Sequence, residues 1–380
     1  MRILIVSSGI PTKEYPLLGI FEFDQAKALV EAGHEVTFIA IDLRSVRRWR
    51  KWGMSKGSKY GVNYCIVNFP MGRVPLKWLL TIGSKLLFKA YTNFFDKGSV
   101  PEIIHAHFTE MGFLACRLHE KTGIPYVVTE HSSKINKEKV GVDLKEAASK
   151  AYKKASAVIA VGSSLGSRIK YHTGIQPIVI PNIIDTSIFS QCQKLPHQGF
   201  QLVTTSNLIV LKRPWQIIQA MARLEPDVIN NTYLTIIGDG PERETIQYWV
   251  DKLGLSDHVI LKGYQSRESI AKIYETMDCF IMVSSSETFG VAYVEAMAAG
   301  LPVIATRCGG PEDFVNEENG LLVDVDNILQ FTEAIESMYN YVGNYSVSIL
   351  RSYVDSNFSP SIIATRLSNL YSDITDKLSN

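Results

Sequence analysis

A pattern repeated twice along the chain restricts its fold most: short apolar runs alternate with amphipathic stretches of helical period. In the first half the runs at 2–8, 35–42, 103–107, 126–130, 157–161 and 178–181 read as strands. Helical patterns fall between them, as at 21–32, where Gly33 stands ready as a C-terminal cap, and at 111–120 and 144–155. Residues 183–199, with Pro196 and Gly199, interrupt the alternation, which then resumes with strands at 202–205, 234–237, 259–261, 279–283, 303–306 and 321–323. Apolar runs this continuous belong to parallel strands covered on both faces. The expectation is an α/β chain of two doubly wound, Rossmann-like domains, 1–185 and 200–358, facing a cleft that holds the ligand at the strands' carboxyl ends. A last helical stretch, 361–380, can cap the second domain or pack back on the first; both arrangements stay open.

A length of 380 residues suits two domains of ordinary size. The opening apolar run is too short for a secretory signal, and the most membrane-like window, 78–88, is broken by Lys85 and well short of the roughly 20 residues a spanning helix needs. Five cysteines with no CxxC pair indicate neither a disulfide framework nor a zinc site, which fits a reducing cytoplasm. The net charge of +1 conceals an asymmetry. Residues 1–190 hold 26 Lys and Arg against 15 Asp and Glu, whereas 191–380 hold 13 against 23.

The most informative stretch is 284–304, whose grammar is strand, loop, short helix, Gly cap, strand. Val291, Val294 and Ala298 share one helix face, and Glu295 lies at its flank, where its carboxylate is partly desolvated. Such a carboxylate needs donors, and vicinal sugar hydroxyls would supply two. Glu287 precedes the helix, and Phe289-Gly290 would offer backbone N–H groups and the positive end of the helix dipole to an anion. The plainer alternative is two solvated glutamates beside a Gly turn.

Glu287-x7-Glu295, followed by Ala-Met-Ala-Ala-Gly-Leu-Pro-Val-Ile-Ala-Thr and by Gly309-Gly310-Pro311-Glu312, resembles the signature of retaining family-4 glycosyltransferases of the GT-B fold. The resemblance extends to Gly238-Asp239-Gly240-Pro241-Glu242, to Ile180-Pro181-Asn182, to Gly19-Ile20-Phe21 with Gln25, and to Gly33-His34-Glu35. It implies a nucleotide-sugar donor, UDP- or GDP-linked, held mainly by the second domain. Glu295 would take the ribose hydroxyls, Glu287 would face the donor sugar, and the Gly19 loop would approach the diphosphate. Lys212 matches the family's phosphate-binding lysine, and His131 matches its active-site histidine. The commonest pattern has an Arg five residues before the lysine, where this chain carries Asn207. Arg213 could restore that charge or point into solvent.

His105 and His107 alternate along one strand. With no Cys or carboxylate partner nearby, a structural role is expected for both. The Gly238 segment imitates a dinucleotide fingerprint, but Arg243 occupies the place of the third Gly, so it reads as a tight turn and an NAD-dependent dehydrogenase is disfavoured. Asp324-Val325-Asp326 reads as a helix cap. No catalytic metal and no cofactor beyond the nucleotide-sugar substrate are expected.

Between 44 and 59 lie Arg44, Arg47, Arg48, Arg50, Lys51, Lys56 and Lys59 without an acid, interleaved with Trp49 and Trp52; a second stretch, 76–95, mixes Trp78 and leucines with lysines. This suits either an anionic membrane surface or a solvated basic loop beside a core helix. Nucleic acid is the poorer candidate, since no reading motif accompanies the charge. The expected activity is a retaining, hexosyltransferase-type transfer to a hydroxyl acceptor, a glycan or lipid-linked precursor, by a cytoplasmic protein at the inner membrane face. Alternatives of the same fold are a nucleotide-sugar 2-epimerase and a donor-binding subunit without turnover.

Overall fold

The computed structural model describes residues 1–12, 14–15, 18–43, 51–72, 74–95 and 99–379. The chain divides into two compact units, Met1–Ile183 with Pro360–Asn380, and Ile184–Ser359.

The first unit runs β1 (Arg2–Ser7), α1 (Ile20–Glu31), β2 (Glu35–Asp42), β3 (Gly53–Lys59), β4 (Val62–Asn68), α2 (Leu76–Phe94), β5 (Ile103–His107), α3 (Phe108–Thr122), β6 (Tyr126–Glu130), α4 (Val142–Lys153), β7 (Ala157–Ala160), α5 (Ser163–Thr173) and β8 (Ile178–Val179). Among the described residues its strands form one eight-stranded sheet in the order β3-β4-β2-β1-β5-β6-β7-β8. All pairs are parallel except β3 with β4. Every residue of β5 and β6 is buried, as central strands covered on both faces must be.

The hairpin of β3 and β4 and the long helix α2 are among the parts the sequence pattern did not delimit. β3 is almost wholly exposed and shows no alternation; its strand character comes from cross-strand register, Ser55 opposite Ile66 and Gly57 opposite Tyr64, around a turn in which Tyr60 and Gly61 both have positive φ. Residues 44–50, and with them Arg44, Arg47, Arg48, Arg50 and Trp49, lie outside the described residues. In α2 the residues Leu80, Gly83, Leu87, Ala90 and Tyr91 are buried, so one face serves the core, while Trp78 is exposed. No helix among the described residues is long and apolar enough to cross a membrane.

The second unit runs β9 (Phe200–Thr205), α6 (Trp215–Met221), α7 (Pro226–Ile229), β10 (Thr232–Ile237), α8 (Arg243–Lys252), β11 (Val259–Gly263), α9 (Arg267–Tyr274), β12 (Cys279–Met282), α10 (Val291–Ala298), β13 (Val303–Thr306), β14 (Gly320–Val323), α11 (Ile328–Tyr341) and α12 (Val347–Phe358). Its six strands are all parallel, in the order β11-β10-β9-β12-β13-β14.

The final helix, α13 (Pro360–Ser379), belongs to the first unit. Its buried residues Ile363, Ala364, Leu367, Tyr371 and Ile374 recur at helical spacing and join a core with Phe23, Ala26 and Leu29 of α1. That decides which of the two open arrangements the chain adopts. A helical stripe reports that a face is covered, but not by what.

Candidate active site

In the second unit the strand order reverses direction between β9 and β12, and loops leaving such a pair part to open a crevice at the carboxyl ends of the strands. Lys212 follows β9 and Glu287 follows β12, so the sequence reading placed its two principal side chains on the loops that flank this point. The structure brings them together. The Lys212 ammonium is paired with Glu287 Oε1, and Ser284 Oγ donates to the same oxygen at 2.5 Å. Both side chains are largely shielded, Lys212 at 21% and Glu287 at 11% exposure.

The backbone holds both loops tightly. Ser285 N–H and Oγ–H both donate to the Leu211 carbonyl, at 2.8 and 3.2 Å, which ties the lysine loop to the glutamate loop. Glu287 is pinned from the other side, its N–H donating to Cys308 O and its carbonyl accepting from Gly310 N–H, each at 3.0 Å. Phe289 points its ring into the core, 2% exposed against Phe314 and Phe358, so only its backbone can serve a ligand. Gly290 opens α10 at φ 101°, a conformation that L side chains rarely adopt, and a Cβ there would sit 2.7 Å from the Tyr293 ring. The helix thus starts without a side-chain cap, and in its first turn Tyr293 N–H donates to the Gly290 carbonyl at 3.1 Å.

Glu295, one turn into α10, is 12% exposed, and Arg267 at the start of α9 grips it: Nη2 and Nε donate to Oε1 at 2.7 and 3.1 Å. Nη2 also reaches the Asp185 carbonyl at 3.4 Å. Burial raises the Glu295 carboxyl above its ordinary value, and the guanidinium opposes that rise. The donor that Glu295 requires is therefore in place before any ligand arrives. Sequence reasoning missed Arg267, because it stands 28 positions from Glu295 with no motif joining the two.

Arg213 has a partner that the sequence did not reveal. It adopts a left-handed backbone and pairs with Asp326, whose Oδ1 also accepts from Gln216 Nε2 at 2.7 Å. Asp326 is accordingly engaged with this cation, and the cap of α11 is Asn327, whose side chain accepts Gln330 N–H. Asn207 is exposed at the start of the same loop, its carbonyl accepting Ile209 N–H at 2.9 Å.

The first unit carries the other two candidates. Gly19 stands at the N-cap of α1 with φ 66°, and a Cβ would lie 2.3 Å from the Gly9 carbonyl oxygen, so the loop closes on itself only with glycine. His131, just past β6, is partly buried, and it ends a hydrogen-bonded chain whose extent the sequence did not reveal. Its Nδ1 lies 2.9 Å from Asn182 Oδ1 and its Nε2 3.0 Å from His107 Nδ1. Gln25 Nε2 contacts His107 Nε2 at 3.3 Å and His105 Nδ1 at 3.0 Å; the Tyr371 hydroxyl on α13 meets His105 Nδ1 at 2.5 Å, and His105 Nε2 meets Thr129 Oγ1 at 2.7 Å. With neutral rings Asn182 accepts from His131 Nδ1–H, His131 Nε2 accepts from His107, His107 from Gln25, and Thr129 from His105, while the single lone pair of His105 Nδ1 is shared between Tyr371 and Gln25. Burial enforces that neutrality, lowering His131 to about 4, His105 to about 3 and His107 well below its ordinary value. His105 and His107 are buried within this chain of contacts, and His107 holds the ring of His131 from one side.

Among the described residues no group of three or more His, Cys, Asp or Glu is arranged to hold a metal ion.

Residues 187–341 match the family model described as glycosyl transferases group 1, and residues 22–188 match the model of glycosyltransferase family 4. Among curated proteins the chain is 27% identical over 324 residues to N-acetyl-alpha-D-glucosaminyl L-malate synthase of Bacillus anthracis, covering 81% of this chain and 80% of that protein. It is 26% identical over 359 residues to the putative teichuronic acid biosynthesis glycosyltransferase TuaC of Bacillus subtilis, covering 88% of each. Among solved structures, sucrose-phosphate synthase from Thermosynechococcus elongatus aligns with a TM-score of 0.78 at 19% identity, covering 99% of both chains. Anabaena HepE in complex with UDP aligns with a TM-score of 0.76 at 18% identity, covering 98% of this chain and 100% of that one. The two adjoining family models together span residues 22–341, and with a fold shared over nearly the full length this chain belongs to the family-4 glycosyltransferases of the GT-B fold.

Proposed function

We propose that the protein transfers a hexose, with retention, from a nucleotide-diphosphate sugar to a hydroxyl of a lipid-linked or cell-surface glycan precursor. One observation carries the reading: at the switch point of the second unit two shielded carboxylates on a single loop and helix each face a cation, Glu287 with Lys212 and Glu295 with Arg267. In this reading Glu295, poised by Arg267, accepts the ribose hydroxyls, while the open N-terminus of α10 and Lys212 receive the diphosphate. A compact ammonium beside the leaving group stabilises charge that develops in the transition state, where a fixed donor in a water-poor site is worth several kcal/mol. Glu287 positions the sugar, and Lys212 shifts from Glu287 toward the diphosphate as the donor binds. Gly19 for the diphosphate and His131 for the donor sugar are proposed on the first unit, with His131 as a neutral hydrogen-bonding group. Asn207 and Arg213 are secondary candidates for the donor's phosphates.

Lys212 meets the need for a positive charge on the leaving group, and no metal is proposed. A UDP-linked donor is favoured over a GDP-linked one by the likeness to a protein solved with UDP. The exposed Trp52 and Trp78, with Lys51 and Lys77 next to them in the chain, support a peripheral attachment to an anionic membrane at the cytoplasmic face.

Thermal-shift screening with UDP, GDP and ADP, followed by a transfer assay with the nucleotide that stabilises the protein, tests the reading. The expected result is a rise in Tm with UDP and release of UDP from its sugar that depends on an acceptor and persists in EDTA. Stabilisation by none of the three would overturn it.

A further inference from the structure

The imidazole of His131 is held in place by its surroundings. The His107 ring stacks on it at 5.3 Å and 23°, and the Phe108 ring lies 5.0 Å away. Phe108 keeps that place at φ 69°, a costly conformation for an aromatic residue. The backbone is anchored as well: the buried Glu130 carboxylate accepts the N–H groups of His131 and Ser132 at 3.0 and 2.7 Å. Packing of this kind fixes where the ring stands, but not which of its nitrogens carries the hydrogen. A chain of neutral imidazoles between two carboxamides can run in either direction, because turning both amides over reverses every hydrogen bond along it.

Tyr371 on α13 breaks that symmetry. Its hydroxyl is fully buried and lies 2.5 Å from His105 Nδ1. A buried phenol places its hydrogen on an acceptor, and the lone pair of Nδ1 is the one it meets. The hydrogen of His105 is then on Nε2, facing Thr129 Oγ1 at 2.7 Å. Gln25, on the helix that Gly19 opens, is 7% exposed, and its amide reaches the same Nδ1 at 3.0 Å. An amide oxygen turned toward a lone pair would be repelled, so Gln25 presents its NH2 group. The His105 and His107 rings stack at 4.5 Å and 15°, and the second amide hydrogen goes to His107 Nε2 at 3.3 Å. His107 must therefore carry its own hydrogen on Nδ1, which donates to His131 Nε2, and His131 is left with its hydrogen on Nδ1, toward Asn182 Oδ1.

We infer that Gln25 is a positioning residue that fixes the tautomer of His131 through His107, in the direction set by Tyr371. This rests on the proposed role of His131 toward the donor sugar and names what sets it. A polar group whose hydrogen and lone pair are settled before the ligand arrives needs no reorganisation during the reaction, which is the condition for a fixed dipole to lower a barrier.

The test is 15N NMR of the full-length protein labelled at the histidine imidazoles, which separates protonated from unprotonated ring nitrogens; the His131 signals are identified by their loss in H131Q. Wild type is compared with Q25E, Q25M and L367A, with melting curves for each. A buried carboxylate only accepts, so Q25E is expected to reverse the chain and move the His131 hydrogen from Nδ1 to Nε2. Q25M, which fills the space without a donor and serves if Q25E does not fold, is expected to give both tautomers. L367A lowers stability on the same helix as Tyr371 and is expected to keep the wild-type tautomer. Turnover is followed as UDP release from UDP-glucose and UDP-N-acetylglucosamine: kcat is expected to fall about tenfold in Q25E and Q25M with little change in donor KM, and to hold in L367A. A hydrogen on Nε2 in the wild type, the same tautomer in the wild type and both Gln25 variants, or unchanged kcat in both would overturn the inference. UDP binding is measured on the same samples. If the wild type binds no UDP, the transfer reading falls, and the NMR result still decides whether Gln25 sets the tautomer.

Discussion

Arg267 Nη2 lies 2.7 Å from Glu295 Oε1, so the carboxylate proposed for the ribose carries its own counter-charge. Burial raises the Glu295 pKa, and removing the guanidinium removes the charge and the hydrogen bonds that oppose this rise. In R267A the carboxyl therefore stays protonated to higher pH than in the wild type, and a protonated carboxyl accepts hydroxyl hydrogen bonds poorly. The expected outcome is UDP affinity reduced at least tenfold, with the deficit larger at pH 6 than at pH 8. Calorimetry at the two values checks it; an equal deficit at both would mean that Arg267 contributes only packing.

The Lys212–Glu287 pair leads to a second expectation. K212A removes the cation proposed for the departing diphosphate, and E287Q keeps the shape while removing the charge. Each is expected to lower kcat by about 100-fold or more, with a smaller change in the donor KM, as follows when an interaction strengthens in the transition state. Steady-state rates for the two variants decide this, and near wild-type turnover in both rules the assignments out.

The neutral histidine chain predicts acid sensitivity. His105, His107 and His131 have folded-state pKa values pushed far below the 6.5 they have when unfolded, two of them to about 3 and about 4. As pH falls below 6.5 the unfolded chain takes up protons that the native state refuses, so stability is fully present above 6.5 and lost as pH drops toward 4. Melting curves at pH 7, 6 and 5 should show Tm falling. H105Q, with one fewer buried ring, should show a slope smaller by about one proton.

Leu367 on α13 is 1% exposed, within the core shared with α1. L367A removes a buried side chain at a site closed on all sides, which costs about 3 kcal/mol. Denaturant unfolding is expected to show this loss, while a substitution at exposed Leu378 near the end of the same helix should change stability by no more than about 0.5 kcal/mol.

Much of the fold was legible because parallel strands covered on both faces are apolar along most of their length, and β1, β12 and β13 show this without reference to any neighbour, while β5 and β6 keep it despite their buried polar residues. β3 was not legible. Its exposed residues carry no periodicity, and only pairing with β4 makes it a strand. Within the candidate site, Glu287 and Glu295 were legible from their placement around one short helix, and Lys212 only through the family resemblance.

The sequence by itself determined the local elements, the two-part organisation and the glutamates of one loop and helix, because periodicity, caps and short-range spacing are properties of neighbouring residues. The tertiary structure alone decided that Arg267 holds Glu295, that Arg213 is occupied by Asp326, that Tyr371 of the last helix closes on His105, and that apolar side chains from α2 and α3 wall a cavity beside His131. Those pairs lie 28, 113 and 266 positions apart. No local preference encodes a meeting over such distances, since it depends on which faces the whole chain buries against one another.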